Sequence, residues 1–204
     1  ILYYDQKAKL FIGGNFWDGR ATGEKLGNPA ADQAQGPFLN PAEQALPDPA
    51  CVVYKVCNPV IPADYPVSFE GVWGAGACDI SWPGDIATLC ATEGTQLPLS
   101  EQDRAKASMA YDYIGLSIAR YEASPEVNTF TSKFDQVLKG MAKLNKEEQK
   151  GFALFHGKAK CFRCHIITGD KPLFTDFTYD NLGVPKNPEN PVYILNEWGN
   201  GYWF

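Results

Sequence analysis

The chain has 204 residues, of which 45% are hydrophobic and 21% are charged, a composition typical of a globular protein with one large domain or two small ones. It carries 18 Lys and Arg against 24 Asp and Glu, a net charge of −6, and no stretch concentrates basic residues on one face, which argues against a nucleic-acid partner. No apolar run approaches the roughly 18 residues that a membrane-spanning helix needs, so we expect no membrane span.

Neither end of the chain has the sequence typical of a natural terminus. The first residues, Ile1 to Lys7, have no signal-peptide pattern, and the last, Trp198 to Phe204, include bulky aromatics where a free terminus is usually polar. We expect a processed chain or a fragment. The alternative is that each aromatic end packs onto its own domain.

Residues 1–98 are rich in turn signals, among them Asn28-Pro29, Asn40-Pro41 and Pro47-Asp48-Pro49. Because proline fixes φ and lacks an N–H donor, we expect loops and no long helices here. The best strand candidate is Val52 to Val56, and strands are otherwise scarce. We assign residues 1–98 to a first, loop-rich domain.

Residues 99–204 have a helical pattern. Ser100 is a good N-cap, and apolar residues recur at helical spacing until Pro125, which predicts a helix from about 101 to 122. A second helix is predicted over about 130–139, and a third begins at Asn145, which forms a capping box with Glu148, and ends near His156. The fold class is therefore predicted to be mainly α.

The segment Cys161-Phe-Arg-Cys-His165 matches the attachment motif for c-type haem. Two thiols one helical turn apart can bond to the two vinyl groups of the porphyrin, while the adjacent His binds the iron. The main alternative is a structural zinc site, which would need a further Cys or His pair, and neither residue type follows His165. We therefore predict one covalent haem c, with Cys161 and Cys164 as attachment points and His165 as the axial iron ligand.

Other residues could contribute to this site. His156 is the remaining His, and we interpret it as a solvated or capping residue rather than a second ligand. Met109 and Met141 could supply an axial thioether, although a Met buried on a helix is usually a packing residue. Apolar side chains that could pack on the two sides of the ring are Phe152, Phe155, Leu173, Phe174, Phe177 and Tyr179.

Four further cysteines, Cys51, Cys57, Cys78 and Cys90, lie in the loop-rich region. We expect two disulfides there and favour Cys51 with Cys57 and Cys78 with Cys90, because each pairing closes a short loop. The alternative is four reduced core cysteines. Disulfides and haem c both indicate an oxidising compartment, the periplasm or the cell exterior.

Seven strings in the same order resemble the bacterial di-haem cytochrome c peroxidase family, which includes MauG-type enzymes, and they extend from about residue 15 to 185. The strings are Asn15-Phe-Trp-Asp-Gly-Arg20, Asp32-Gln-Ala-Gln-Gly-Pro37, Asn40-Pro-Ala-Glu43, Ala119-Arg-Tyr-Glu122, Gly157-Lys-Ala-Lys-Cys-Phe-Arg-Cys-His165, Pro172-Leu-Phe-Thr-Asp176 and Asn181-Leu-Gly-Val-Pro185. Each string alone is weak evidence, whereas their common order is strong. The resemblance implies a cytochrome c-like helical haem lobe. Together with the turn-rich segments and the expected disulfides, it predicts a mainly α fold with long, disulfide-stapled loops.

The resemblance also implies roles for individual residues. Trp17 would lie between two haems and relay electrons. Gln33, Pro37 and Glu43 would lie over the iron that binds peroxide, with Glu43 as the acid-base group. Without the family resemblance, Trp17 could be a buried anchor above a turn, and Glu43 could be a charge at a helix start.

The chain departs from the family pattern in three respects. The attachment motif of the first haem, which family members carry before the Trp-Asp-Gly-Arg string, is absent from these residues, so a second haem is expected from a missing segment or another chain. The region of the four extra cysteines is an elaboration. The family's distal ligand to the second haem and two ligands of its calcium would lie after residue 204, so calcium is expected only by resemblance.

Three functions are consistent with these features. The first is reduction of hydrogen peroxide to water, with electrons from a small cytochrome or cupredoxin entering through the haem of His165. The second is a non-catalytic electron carrier. The third is MauG-like oxidation of a protein partner.

Overall fold

The computed structural model describes residues 1–59, 64–180 and 183. They belong to two compact units. Unit 1 comprises Ile1–Leu2 and Gly14–Thr129, and unit 2 comprises Tyr3–Gly13 and the chain from Phe130 onward. This division places the long helix in unit 1, whereas the boundary predicted between residues 98 and 99 groups it with the haem motif; that boundary stays a prediction.

The described residues are mainly helical, as predicted. Unit 1 holds α1 (Pro29–Ala34), α2 (Gly36–Leu39), α3 (Pro49–Cys57), α4 (Tyr65–Trp73), α5 (Ile86–Cys90) and α6 (Glu101–Glu122). Unit 2 holds β1 (Tyr3–Asp5), β2 (Leu10–Ile12), α7 (Lys133–Leu138), α8 (Lys146–His156) and a 3-10 helix (Cys161–Arg163). No helix in this part of the chain is both long and apolar enough to cross a bilayer.

Local capping fixes where the predicted helices begin. The Ser100 hydroxyl accepts from the Asp103 N–H at the start of α6, and Asn145 forms a complete capping box with Glu148 at the start of α8. The helix predicted over 130–139 is shorter, because Ser132 and Asp135 form a second capping box that starts it at Lys133. The predictions for α6 and α8 are confirmed.

The strand predicted over Val52 to Val56 is wrong, because these residues form the middle of α3. Asp48 accepts from the Ala50 N–H at the N-terminus, and Pro49 occupies the first turn, where its missing donor costs nothing. Val52 and Val53 are buried in the helix, so tertiary packing outweighs their β-branched preference.

The predicted disulfide pairing is also wrong. Cys51 bonds to Cys90 and Cys57 bonds to Cys78, so the alternative of reduced cysteines is excluded as well. Cys51 and Cys57 lie six residues apart on α3, a rise of about 9 Å, and a disulfide needs Cα atoms within about 7 Å. The helix therefore forbids the local bridge, and the two nested disulfides join α3 to α5 and to the segment after α4.

The core of unit 1 forms around α3 and α6. One contact is especially close: a Cβ added at Gly115 on α6 would lie 2.9 Å from the carbonyl oxygen of Ala31 on α1. The buried core residues are Ala50, Cys51, Val52, Val53, Cys57, Phe69, Ile80, Ile86, Leu97, Ala107, Ala110, Tyr111 and Ile114.

Unit 2 buries little of its own surface. The strands β1 and β2 form an antiparallel hairpin, and Phe11 accepts from the Tyr179 N–H beside a bridge between Ile12 and Thr178. Among the described residues of this unit only Asp135 and Pro172 are buried. The aromatic side chains of unit 2 therefore do not form a closed core with one another.

Candidate functional site

The cysteine and histidine residues of the haem motif are brought together by one tight turn. Cys161 begins the 3-10 helix, and its carbonyl accepts from the Cys164 N–H at 3.3 Å and from the His165 N–H at 3.0 Å. The Lys160 backbone just before it is left-handed, with φ 58°. Cys161 and Cys164 are not in disulfides, so both thiols are free to bond to a porphyrin.

The imidazole of His165 is oriented by the backbone of Phe174. The His165 Nδ1 lies 2.8 Å from the Phe174 carbonyl oxygen. Because a carbonyl oxygen can only accept, Nδ1 carries the proton and the Nε2 lone pair is available for a metal. The Phe174 backbone is left-handed, with φ 58°, an unusual conformation for a bulky residue and one that recurs at functional sites.

Aromatic rings lie around this turn. Phe155 lies 6.4 Å from the His165 ring and 6.2 Å from Phe174, centroid to centroid, and Phe134 lies 5.5 Å from Phe174. Phe152 and Phe174 are exposed, so the rings present apolar surface that a large flat macrocycle could cover. The donor set and its surroundings therefore fit a c-type haem.

The zinc alternative finds little support in the described residues. The one group there with metal-like spacing is Cys164 Sγ with carboxylate oxygens of Asp176 and Asp180, which lie within 4.8 Å of one another. It includes neither Cys161 nor His165, and the Thr178 hydroxyl lies 2.8 Å from the Asp176 carboxylate and 2.9 Å from the Asp180 carboxylate, so it can donate to one of them. A structural zinc site takes four ligands and favours Cys and His.

The other candidate ligands are exposed. His156 ends α8, and its ring stacks on Phe162 at 5.4 Å with an interplanar angle of 14°. Met109 and Met141 are both exposed, which contradicts the expectation that they are buried packing residues. The family string from Asn181 to Pro185 lies outside the described residues except for Gly183.

Trp17 lies at the tip of a tight turn in unit 1. The turn is closed by a bridge between Asn15 and Ala21, and Arg20 both pairs with Asp18 at 2.7 Å and covers the Phe16 ring at 3.8 Å. Trp17 itself is 59% exposed. It is therefore not the buried anchor of the alternative interpretation, although it does lie in a turn.

Gln33, Pro37 and Glu43 lie on one continuous segment of unit 1. Gln33 is on α1 and Pro37 is in the first turn of α2; both are partly exposed. Glu43 is exposed in the turn after α2, and the Pro37 carbonyl accepts from the N–H of the next residue, Gln44, at 3.2 Å. This bond folds the turn of Glu43 back onto α2.

Sequence reasoning missed the buried polar group that holds α1. Gln35 donates from Nε2 to the Asp112 carboxylate at 2.8 Å and to the Tyr111 carbonyl, and accepts from Lys25 Nζ at 2.6 Å. Burial and the charge of Asp112 raise the pKa of Tyr111 to about 12, so its hydroxyl stays protonated and donates to the Gln35 carbonyl. A buried Gln beside the predicted Gln33 has no signature in a single sequence.

The Phe174 carbonyl was missed for a related reason. The sequence suggested Phe174 only as apolar surface, whereas its backbone oxygen is what orients His165. Every residue carries a carbonyl, so no residue type marks one that serves this role.

Comparison with known proteins gives one family. The family model for di-haem cytochrome c peroxidase matches residues 3–143. The chain is 32% identical to methylamine utilization protein MauG of Paracoccus denitrificans (strain Pd 1222) over 181 residues, which is 87% of this chain and 38% of that protein. The family match includes Trp17, Gln33, Pro37 and Glu43 and ends before the haem motif.

Two cytochrome-c peroxidases match shorter stretches. The chain is 36% identical over 87 residues to IdrP1 of Denitromonas iodatirespirans, covering 40% of this chain and 22% of that protein. It is 38% identical over 73 residues to IdrP2 of Pseudomonas sp. (strain SCT), covering 34% of this chain and 19% of that protein. The chain thus spans less than two fifths of the length of these relatives.

Proposed function

The chain belongs to the di-haem cytochrome c peroxidase family, and from that premise we propose that it is part of a c-type haem oxidoreductase that reduces hydrogen peroxide to water. The reaction takes two electrons and two protons and releases two waters. Electrons would come from a small donor cytochrome or cupredoxin. A second haem would come from a further segment or chain.

The observation that carries this proposal is the oriented imidazole of His165 beside two cysteines that form no disulfide. Cys161 and Cys164 would hold haem c through two thioethers, and His165 Nε2 would bind its iron. This haem would supply electron transfer, and the iron of the second haem would supply the peroxide chemistry. The Phe174 carbonyl would keep Nδ1 protonated and raise the basicity of the ligand.

Glu43 would transfer the proton that peroxide cleavage requires. Breaking the O–O bond needs a proton moved from the near to the far oxygen, and a carboxylate can take it up and return it. The exposed turn of Glu43 is tied to α2 by the bond from Gln44 to Pro37, which favours a fixed position relative to Gln33 and Pro37. Gln33 and Pro37 would line the same peroxide site.

Trp17 would relay electrons between the two haems. Its indole is exposed at the tip of a turn that a bridge, an ion pair and a cation–π contact hold in place. A large exposed indole on a rigid turn is available to a neighbouring group, which supports this role. We place the protein in the periplasm or outside the cell, where its two disulfides would persist. Calcium stays an expectation by family resemblance alone.

The test is a haem count followed by an assay on the full protein. Mass spectrometry under denaturing conditions should find covalent haem on this chain and a second haem in the assembly, and Cys161→Ala with Cys164→Ala should remove the first. The intact protein should consume peroxide when supplied with a reduced donor. One haem in total would overturn the peroxidase proposal and leave a non-catalytic electron carrier.

A second candidate is oxidation of a protein partner. The observation that favours it is the extent of the match to MauG, 87% of this chain, against 40% for the IdrP1 peroxidase. The two candidates differ in the source of the electrons that reduce peroxide, which is a small donor protein in the first and a protein substrate in the second. Rapid peroxide consumption that depends on a reduced small donor supports the first, whereas peroxide-dependent modification of a co-purified protein, with slow donor oxidation, supports the second.

A further inference from the structure

Charge is distributed unevenly along this chain. Residues 1–129 carry 8 Lys and Arg against 16 Asp and Glu, whereas residues 130–180 carry 9 against 6. The segment that contains the haem motif is therefore basic within an acidic protein. No single basic run marks it, because the cations are spread over some 40 residues.

Three of these cations lie at the haem motif itself. Lys158 and Lys160 precede Cys161, and Arg163 lies between the two cysteines; all three are exposed. The backbone of this segment turns tightly, because the Arg163 N–H donates to the Lys160 carbonyl and the Lys160 N–H donates to the Gly157 carbonyl, both at 3.1 Å. We call these three residues the motif cations.

Four other cations of unit 2 have partners in the structure. Lys133 pairs with Glu148 at 2.5 Å, and Lys150 pairs with Glu147 at 2.8 Å. Lys139 donates to the Phe130 carbonyl, and Lys171 lies over the Phe130 ring. Within the described residues, Lys158, Lys160 and Arg163 form no ion pair, which is also the case for Lys143 and Lys146. The carboxylates of Asp176 and Asp180 lie within 4.8 Å of Cys164 Sγ but do not pair with the motif cations.

Apolar side chains lie within the same stretch of chain. Phe162, between the motif cysteines, is 37% exposed, and Leu154 on α8 is 54% exposed. The Leu154 carbonyl accepts from the Ala159 N–H, which brings α8 back to the segment of the motif cations. Apolar residues bordered by charges are the usual composition of a small, transient protein interface.

We propose that the motif cations, with Phe162 and Leu154, form the docking surface for a redox partner whose contact face is acidic. This proposal rests on the proposed function, because it assigns a charge and a position to the partner of that site. Opposite charge would steer the partner toward the segment that holds the haem and raise the rate of encounter. A partner with a basic contact face would be repelled.

The test uses the full haem-loaded protein and an acidic cupredoxin as the probe, with a cupredoxin of opposite net charge for comparison. Association rates are measured by stopped flow at ionic strengths from roughly 0.01 to 0.5 M, since screening lengths fall over that range. The combined variant Lys158→Glu, Lys160→Glu, Arg163→Glu should slow association with the acidic probe about tenfold or more at low salt. At high salt the difference from wild type should vanish.

Lys55→Glu on α3 is the matched control, because Lys55 is exposed and lies in unit 1. It should leave the association rate within about twofold of wild type. The combined Gln variant of the motif cations should give an intermediate rate, and unchanged visible spectra would establish that each variant carries its haem. Equal effects of the motif variant and Lys55→Glu would overturn the proposal, as would faster binding of the basic probe.

A second copy of this chain is the competing occupant, because residues 1–129 are acidic. In sedimentation velocity at low salt, we expect the wild-type protein to show no dimer that depends on the motif cations. A dimer that is present in wild type and lost in the motif variant would overturn the proposal. None of these measurements requires peroxide turnover. Charge-dependent binding without turnover would therefore count against the proposed function alone, and turnover without charge-dependent binding would count against this surface alone.

Discussion

Arg104 on α6 donates to both carboxylate oxygens of Asp48, the residue that caps α3, at 2.7 and 2.9 Å. Asp48 is 2% exposed and also accepts from the backbone N–H groups of Ala50 and Leu97. Burial raises the pKa of Asp48, but the hydrogen bonds and the charge of Arg104 outweigh it, so its pKa lies below the usual 3.8. The ionised carboxylate therefore links α3, α6 and the segment before α6.

Asp48→Asn should lower the free energy of unfolding at pH 7 by about 3–5 kcal/mol, because it removes the charge that pairs with Arg104 and puts an NH2 group in place of one of the two oxygens that accept hydrogen bonds. The depressed pKa of Asp48 means that the carboxylate stabilises the fold above its ordinary value of 3.8 and that this contribution is lost as the pH falls below it. The difference between the variant and wild type should therefore shrink below about pH 3.8, measured by urea unfolding. Asp79→Asn, which breaks an exposed ion pair with Lys106, is the control and should cost less than about 1 kcal/mol. Equal losses in the two variants would contradict the role of Asp48.

The nested disulfides should contribute comparably to stability. Cys51→Ala with Cys90→Ala opens a loop of 39 residues, and Cys57→Ala with Cys78→Ala opens one of 21. The chain-entropy model gives a loss of about 3–4 kcal/mol for each, slightly larger for the longer loop. Urea unfolding measures the loss, and peptide mapping without reductant checks the pairing. Recovery of a peptide that links Cys51 to Cys57 would refute it.

Glu43→Gln should slow peroxide turnover by about 10² or more while leaving the haem spectrum nearly unchanged, because Gln keeps the shape of the side chain and cannot carry the proton. Glu93→Gln, an exposed carboxylate elsewhere in unit 1, is the control and should turn over at the wild-type rate. Wild-type turnover in the Glu43 variant would remove this residue from the mechanism.

Trp17→Ala should slow electron transfer between the haems and barely change stability. Because its indole is 59% exposed, the free energy of unfolding should shift by less than about 0.5 kcal/mol. Trp17→Tyr, which retains an oxidisable ring, should keep part of the transfer rate. Stopped-flow reduction of the two haems measures this rate, and a Trp17→Ala protein as fast as wild type would assign Trp17 to a purely structural role.

The helices that sequence predicted well are those with local start signals. The side chain of Ser100 and the pair Asn145 and Glu148 satisfy N–H groups within one turn of themselves, so their effect is encoded in a few neighbouring residues. In α3 the comparable signals, Asp48 and Pro49, are also typical of a turn, and the valines favour a strand. The preference of valine for strands is weak, and burial against α6 outweighs it.

The wrong disulfide pairing follows from the wrong strand prediction at Val52 to Val56. Pairing by shortest loop is reasonable for an irregular chain, but it fails once Cys51 and Cys57 lie on a helix. The correct partners depend on how α4 and α5 pack, which a single sequence does not specify.

For the candidate site, the sequence was sufficient for residue identity and insufficient for orientation. Cys161, Cys164 and His165 were identified by spacing, and the turn that joins them is local. The Phe174 carbonyl and the Gln35 network depend on contacts made across 9 and about 76 residues. Family resemblance supplied Trp17, Gln33, Pro37 and Glu43, and their roles stay predictions.

The close contact at Gly115 limits which substitutions the protein can accept at this position. With a methyl group there only 2.9 Å from the Ala31 oxygen, α1 would have to move away from α6 and take Gln33 with it. Even alanine, the smallest replacement, would thus alter the proposed peroxide site by displacing α1. In mutational scans that score activity and folding separately, position 115 should behave like a site residue although its side chain touches no substrate.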